Sequence, residues 1–323
     1  MPAISASAPG KVILFGEHAV VYGQPAIADA LLEVEAKAII NPLIQGTPGE
    51  IRIQAPSIKL DADLSQLPID DPLATAVRNV LVELGIKAPP PFKLRVTSTI
   101  PVAAGLGSGA AVSVAIIRAV SAFLGQPLKD ARVSAIAFEV EKLHHGTPSG
   151  IDNTVITYRK PVYFIKGKPP ESFPVNESFR LLIADTGILS QTRAVVGEVR
   201  AGWEQNKNRY EKIFKSIGEI AEKARELMTS GTGIASYLGT LMDQNQYLLQ
   251  DLKVSSSELD RLIASAKEAG ALGAKLSGAG RGGNIIAVIE EPRRSDIEDA
   301  LYAAGATGVI ATKVFGGSWG PLE

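Results

Sequence analysis

A glycine-rich turn at residues 101–115 leads into a long apolar helix, and this layout suits a phosphate group. Gly105, Gly107 and Gly109 allow the backbone to approach a ligand closely. The free N–H groups of the helical turn that follows present the positive end of the helix dipole to an anion. The loop has neither the Gly-Lys-Ser/Thr of a Walker A motif nor the spacing of a dinucleotide fingerprint. A tight turn that packs two layers together is the alternative interpretation.

Two other segments combine glycine with charged side chains. Lys11 opens a predicted strand at 11–15, and Glu17 and His18 follow at its far end. Residues 275–283 contain four glycines within six positions, between a predicted helix and an apolar strand, which gives a backbone that can close over a ligand. A surface lysine beside a polar turn, and a flexible connector, are the alternative interpretations.

The segment 141–153 contains two carboxylates in unusual surroundings. Glu141 lies late in a predicted helix on a mostly apolar face, where a carboxylate is costly unless a cation accompanies it. Asp152 follows a loop that Pro148 and two glycines shape. A solvent-facing glutamate and a turn aspartate are the alternatives. The adjacent histidines at 144–145 favour a helix C-terminus over a metal site.

Phosphoryl transfer is the chemistry that unites these segments. That reaction needs donors around the phosphates, a divalent cation, a positive side chain near the transferred group, and a carboxylate that accepts the proton of the acceptor. The loop 104–111, Glu141, Lys11 and Asp152 supply one group for each requirement.

The rest of the chain predicts the elements that position these groups, in an α+β arrangement. Strands are predicted at 11–15, 34–40, 51–54, 93–100, 181–185, 284–289 and 308–314, and helices at 71–84, 108–124, 130–145, 234–252, 256–269 and 295–304. We expect a strand pair at 154–165 and one long amphipathic region at 195–228. The Pro-containing polar segment 166–178 is the predicted domain boundary.

Composition bounds the class of protein. The chain has 323 residues, 46% of them hydrophobic, which supplies a packed core. The formal net charge of −1 gives no reason to expect nucleic acid or an anionic membrane as a partner. There is no cysteine, so disulfides, thiolate metal sites and cysteine nucleophiles are excluded. Residues 1–7 do not resemble a signal peptide, and no apolar run is long enough to span a bilayer, so we expect a cytoplasmic protein.

Residues 9–18, the sequence Gly105-Leu106-Gly107-Ser108, and residues 275–283 resemble the three motifs of the GHMP small-molecule kinases, in the order and spacing of that family. Residues 9–23 and 145–153 resemble in particular the branch that phosphorylates mevalonate. The resemblance implies a two-domain fold. Residues 1–170 would form an α+β domain like ribosomal protein S5 domain 2, and residues 171–323 a ferredoxin-like domain. ATP, Mg²⁺ and mevalonate are the implied ligands, and a homodimer is the implied assembly.

The resemblance also implies roles for individual residues. Asp152 matches the catalytic base that acts on the C5 hydroxyl of mevalonate, and Lys11 the lysine that assists it. Glu141 matches the Mg²⁺ ligand. The implied nucleotide-side residues are Ser98, Pro101, Ala104, Gly105, Leu106, Gly107, Ser108, Gly109 and Ala110. The implied mevalonate-side residues are Lys11, Glu17, His18, Asp152, Thr192, Gly278 and Ala279.

Two positions depart from the family pattern. Gly109 stands where the family usually has a serine whose hydroxyl helps to hold Mg²⁺, so either Ser108 or water takes that place, or the metal depends more on Glu141. Arg281 stands where glycine is common, and its charge either lies near phosphate or points to solvent. The alternatives are a sister kinase acting on phosphomevalonate, homoserine or a sugar, and a catalytically weak binding protein. The joint presence of Lys11, Glu141 and Asp152 argues against the latter.

Overall fold

The computed structural model of the chain describes residues 2–101, 105–143, 149–317 and 322, and the backbone alone at 144 and 145. The strands are β1 (Ile4–Phe15), β2 (Ala26–Pro42), β3 (Ile51–Ala55), β4 (Leu60–Asp63), β5 (Phe92–Ser98), β6 (Val162–Phe164), β7 (Glu171–Ser172), β8 (Phe179–Asp185), β9 (Gly273–Ser277), β10 (Asn284–Ile289) and β11 (Gly308–Val314). The helices are α1 (Pro72–Glu83), α2 (Ser108–Phe123), α3 (Asp130–His145), α4 (Ile151–Tyr158), α5 (Thr192–Gln205), α6 (Lys207–Ser230), α7 (Ile234–Asp251), α8 (Ser257–Glu268) and α9 (Arg294–Ala303).

The N-terminal sheet is organised around the long strand β2. β1 pairs antiparallel with β2 along most of its length, while β5 and β6 pair with opposite ends of the other edge. β3 lies parallel to β5 and carries the edge strand β4. Helix α2 is apolar around most of its circumference, and it is accordingly buried against β1 and β2. The N-terminus of α2 is therefore fixed close to the middle of β1.

The C-terminal sheet is antiparallel, with the strand order β11-β8-β10-β9. Counted along this half of the chain the order is 4-1-3-2, with helices between the first and second strands and between the third and fourth. This is the arrangement of a ferredoxin-like domain, so that prediction and the α+β class are confirmed. The exact division at 170/171 stays a prediction.

The two sheets share one apolar core. A single cluster of buried side chains includes Val12 and Leu31 of the N-terminal sheet and Ile183 and Ile286 of the C-terminal sheet. Residues between the two sheets are thus packed against apolar side chains of both sheets. Among the helices in the described part of the chain, none is both long and apolar enough to cross a membrane.

The predicted strand pair at 154–165 is wrong. Residues 151–158 form the helix α4, and only Val162–Phe164 forms a strand. The β-branched residues of this segment favour a strand locally, but Ile151, Val155 and Ile156 lie on a helix face that is fully buried, and packing overrides that preference. Asp152 therefore lies in the first turn of a helix, where the helix dipole favours a carboxylate.

Three other element predictions need correction. β1 begins at Ile4, so Lys11 lies within the strand, after an irregularity in register at Pro9/Gly10. The region 195–228 is divided between α5 and α6, because the side chain of Asn206 caps a new helix by accepting from the N–H of Arg209. The short strand β9 was not predicted, since all five of its residues are buried and its sequence does not alternate.

Asp29 is a carboxylate within the shared core, and we expect its replacement by asparagine to stabilise the protein at neutral and alkaline pH. It is 8% exposed on β2, and burial raises its pKa to about 7. The folded state thus favours the protonated acid. The contribution of Asp29 to the free energy of unfolding is therefore fully present below about pH 4, and it is lost as the pH rises to 7, because ionisation is then easier in the unfolded state. Asp29→Asn should add on the order of 3–4 kcal/mol to the free energy of unfolding at pH 8.

Urea unfolding of the wild type and of Asp29→Asn between pH 4 and pH 8 measures this effect. The gain should shrink to less than about 1 kcal/mol at pH 4, where Asp29 is protonated in the folded state and about half protonated in the unfolded state. Glu35→Gln, an exposed carboxylate on the same strand, is the matched control and should leave stability nearly unchanged. A gain that does not vary with pH would contradict the titration of Asp29.

Candidate active site

A buried lysine of β1 meets an accessible aspartate of α4. Nζ of Lys11 lies 3.2 Å from Oδ1 of Asp152. The Lys11 side chain is 6% exposed, whereas that of Asp152 is 29% exposed. The carboxylate thus faces open space while its cationic partner is fixed beneath it. A carboxylate that is accessible to a ligand and paired with a fixed positive charge is what a general base requires.

The glycine loop packs directly on Lys11. The N–H of Lys11 donates to the carbonyl of Leu106 at 3.0 Å. Gly107 has φ +76°, and a Cβ there would lie 2.8 Å from both Cγ of Lys11 and Cδ1 of Ile156. Glycine is therefore required at 107 by backbone conformation and by the stem of Lys11. The loop, the lysine and α4 form one packed unit.

The other nucleotide-side residues surround the start of α2. Ser98 ends β5, and its Oγ accepts from the N–H of Ile100 at 3.1 Å. Ser108 is the first residue of α2 and partly exposed. Along the rest of the predicted set, Pro101 and Gly107 are partly exposed, Leu106 and Ala110 are buried, Gly105 and Gly109 are exposed, and Ala104 lies outside the described residues. Open glycine backbone and free helical N–H groups thus lie side by side, as anion binding requires.

Glu141 is buried on α3 beside the pair of Lys11 and Asp152. It is 4% exposed, and its pKa is raised to about 7, first by burial and then by the charge of Asp152, while Lys11 opposes the shift. Nδ2 of Asn153 donates to the backbone carbonyl and the hydroxyl of Ser134, which ties α4 to α3. This tie fixes the two carboxylates relative to one another. A cation held between them would relieve their repulsion.

Glu17 and His18 connect the two sheets. Glu17 is fully buried and pairs with Lys275 of β9, which also donates to the backbone carbonyl of Leu276. Burial raises the pKa of Glu17 and lowers that of Lys275, while the attraction between them opposes both shifts. Oε2 of Glu17 is buried and has no hydrogen-bond partner among the described residues. It is an acceptor that a ligand hydroxyl could satisfy.

His18 is held by the second glycine-rich loop. Its Nε2 lies 2.9 Å from the carbonyl of Ala279 and donates to it, which assigns the proton of the neutral ring to Nε2. Its pKa falls to about 4, mainly because the ring is buried. His18 also has φ +59°, a conformation that costs about 1 kcal/mol outside glycine and is enriched at functional sites.

Thr192 and Gly278 are the two remaining residues that were expected on the mevalonate side. Thr192 is exposed at the first position of α5. The segment before it is tied to the glycine-rich loop, because Oγ of Ser190 donates to the carbonyl of Gly280 at 2.8 Å. Gly278 has φ +96°, and a Cβ there would meet nothing within 4 Å, so its backbone is open to a ligand.

Lys275 is the site residue to which sequence reasoning gave no role, although it belongs to a segment with suspected function. Its signal was a lysine between alanine and leucine immediately before four clustered glycines. Its partner Glu17 lies in the other sheet, and no local pattern links the two. The structure also shows that Arg281 contacts Glu198 on α5, at 2.6 Å, instead of pointing freely to solvent.

Comparisons with known proteins agree with this geometry. The sequence model of the GHMP kinases N-terminal domain matches residues 72–160, and that of the GHMP kinases C-terminal domain matches residues 232–307. The chain is 38% identical to a mevalonate kinase of Thermococcus sibiricus over 96% of both chains, and 36% identical to that of Pyrococcus furiosus over 95% of both. A crystal structure of the L. major mevalonate kinase in complex with R-mevalonate superposes with a TM-score of 0.82 at 30% identity, covering 98% of this chain and 97% of that one.

Proposed function

The chain belongs to the GHMP kinase family, and from this premise we propose that it transfers the γ-phosphoryl group of ATP to the C5 hydroxyl of mevalonate. The observation that carries the proposal is the packed unit of the glycine loop, buried Lys11 and accessible Asp152. A carboxylate, a fixed positive charge and open glycine backbone lie within one small volume there, which supports the proposal. Full-length similarity to mevalonate kinases supports mevalonate as the acceptor.

Asp152 accepts the proton of the C5 hydroxyl as its oxygen attacks the γ-phosphorus. The bond from that phosphorus to the bridging oxygen of ADP breaks, and ADP leaves with the electron pair. Lys11 holds Asp152 in place through their ion pair and stabilises negative charge on the transferred group. The start of α2 and the open glycine backbone beside it bind the phosphates through N–H groups. His18 and Glu17 position the acceptor from the other side.

The residues present fit Mg²⁺ as the accompanying cation. Glu141 is a buried carboxylate whose pKa is raised beside Asp152, so a cation at this position is favourable. The described residues contain no group of three or more His, Asp or Glu side chains arranged for a metal, and Mg²⁺ needs only one or two carboxylates together with phosphates and water. We propose that Glu141 and Ser108 hold it. When bound, it neutralises charge on the ATP phosphates.

Gly109→Ser tests how the metal is held. The substitution adds a hydroxyl next to Ser108 at the exposed start of α2. We therefore expect the Mg²⁺ concentration for half-maximal activity to stay the same or to fall by a factor of up to about five, which corresponds to about 1 kcal/mol, the net contribution of one ordinary hydrogen bond. Titration of activity with Mg²⁺ at saturating ATP measures it. Gly109→Ala, which adds the methyl group alone, is the control. A large loss in both variants would show that this loop does not tolerate a side chain at 109.

An ADP-release assay tests the proposed reaction. Mg-ATP is offered with mevalonate, phosphomevalonate, homoserine or galactose, and mevalonate should be turned over with the highest kcat/KM. Release of ADP with another acceptor and none with mevalonate would overturn the substrate assignment but leave the kinase assignment in place. Absence of ADP release with all four acceptors would favour a binding protein.

We also propose a cytoplasmic location, which the sequence leads us to expect, and a homodimer, which the family resemblance implies. Both substrates are soluble small molecules, which agrees with the first. Cell fractionation tests the location, and light scattering of the purified protein gives the mass that separates a monomer of 34.0 kDa from a dimer.

A further inference from the structure

Arg281 lies in a loop whose other members are mostly glycine, and it has the backbone conformation of a glycine. Its φ is +52°, between Gly280 at +84° and Gly282 at +138°. A residue with a Cβ is destabilised there by about 1 kcal/mol relative to glycine. Arg281 therefore needs compensating interactions to remain in this conformation.

Those interactions come from two directions. Nη1 of Arg281 lies 2.6 Å from Oε2 of Glu198 on α5. Nε and Nη2 both donate to the carbonyl of Lys253 at 3.2 Å, and the backbone N–H of Arg281 donates to the carbonyl of Val254 at 2.8 Å. The ion pair is partly exposed and by itself contributes little. The ion pair connects the loop to α5. The two hydrogen bonds from the planar guanidinium group to the carbonyl of Lys253 connect it to the segment between α7 and α8.

The same loop holds the acceptor side of the site. The carbonyl of Ala279 accepts from Nε2 of His18, and the carbonyl of Gly280 accepts from Oγ of Ser190. Gly280 can approach this closely only as glycine, because a Cβ there would lie 2.0 Å from the carbonyl oxygen of Val254. Arg281 follows these two carbonyls directly, and its side chain contacts Glu198 and the carbonyl of Lys253.

We propose that Arg281 is a positioning residue, which fixes the loop 278–283 so that the carbonyl of Ala279 sets the ring orientation and tautomer of His18 for the acceptor. This inference rests on the proposed function, since it assigns His18 to the acceptor side. Arg281 also acts on His18 through space, because its positive charge adds to the effect of burial on the ring. A substitution at position 281 should therefore change two measurable quantities, the KM for the acceptor and the pKa of His18.

Three variants separate these contributions. Arg281→Gly removes the side chain and relieves the backbone strain, so the fold should be retained. Arg281→Lys keeps the positive charge but loses the paired guanidinium donors that bind the carbonyl of Lys253. Glu198→Gln removes only the ion pair. Glu204→Gln is the matched control on α5, where Glu204 pairs with Arg200. We expect Arg281→Gly to raise KM for mevalonate about 3- to 10-fold, the loss of roughly one hydrogen bond, with KM for ATP within about twofold.

NMR titration of the three histidines supplies a readout that a merely structural role would not move, with His18→Gln identifying the His18 signal. The His18 pKa should rise in Arg281→Gly, and Arg281→Lys should restore most of this shift but only part of the KM. An unchanged His18 titration together with an unchanged KM for mevalonate would overturn the proposal, as would an equal loss for both substrates with a lower melting temperature. If the wild type does not phosphorylate mevalonate, the proposed function fails, but the His18 titration still tests the position of the loop.

Discussion

Asp152→Asn is expected to lower kcat by a factor of about 10²–10⁴, the usual contribution of a positioned general base. Asparagine keeps the size of the side chain and the first turn of α4, but it cannot accept the proton of the C5 hydroxyl. KM for ATP should stay within about threefold, because the proposed phosphate donors are backbone N–H groups at the start of α2, which the substitution does not change. Rapid-quench measurement of a single turnover shows the chemical step directly, even where product release limits the wild type.

Two comparisons make this test specific. Glu139→Gln removes an exposed carboxylate from α3 and should leave kcat unchanged. Lys11→Met should also reduce kcat strongly, and the double variant Lys11→Met/Asp152→Asn should be little worse than the poorer single one, since paired groups act as a unit. A single-turnover rate for Asp152→Asn above about a tenth of the wild-type rate would remove the role of base from Asp152.

Elements with local signals could be predicted from the sequence. β10 and β11 were predicted with the observed bounds, because each is an apolar, β-branched run bounded by turn residues. α2 was predicted almost fully, since it is a long apolar segment that begins after one glycine turn and ends before another. Lys11, Glu141 and Asp152 could be selected as candidates because charged residues beside clustered glycines are rarely needed for packing alone.

The relations between distant segments could not be predicted in this way. The helix α4 contradicts the local preference of its β-branched residues, and only the packing of Ile151 and Val155 in the core explains it. The pairing of Glu17 with Lys275 depends on how two separate sheets meet, which no spacing in the sequence encodes. Asp29 likewise stands in an apolar strand where nothing in the local pattern indicates a buried acid.

Lys275→Met is the second change for which we expect a large effect, a loss of about 3–5 kcal/mol in the free energy of unfolding. Lys275 and Glu17 are both fully buried, and Oε2 of Glu17 already has no hydrogen-bond partner among the described residues. Removal of the lysine leaves the buried Glu17 without its counter-charge, so the pKa of Glu17 rises further. Urea unfolding at pH 7 measures the loss.

The double variant Lys275→Met/Glu17→Met decides whether the loss comes from the unpaired charge or from packing. With both charges gone, two apolar side chains of similar volume fill the boundary between the sheets, and most of the lost stability should return. Lys267→Met, which breaks an exposed pair with Asp243, is the matched control and should lose no more than about 1 kcal/mol. A double variant as unstable as Lys275→Met would refute the charge explanation. If stability returns while KM for mevalonate stays above the wild-type value, the carboxylate of Glu17 serves the acceptor, and Lys275 serves to hold that carboxylate in place.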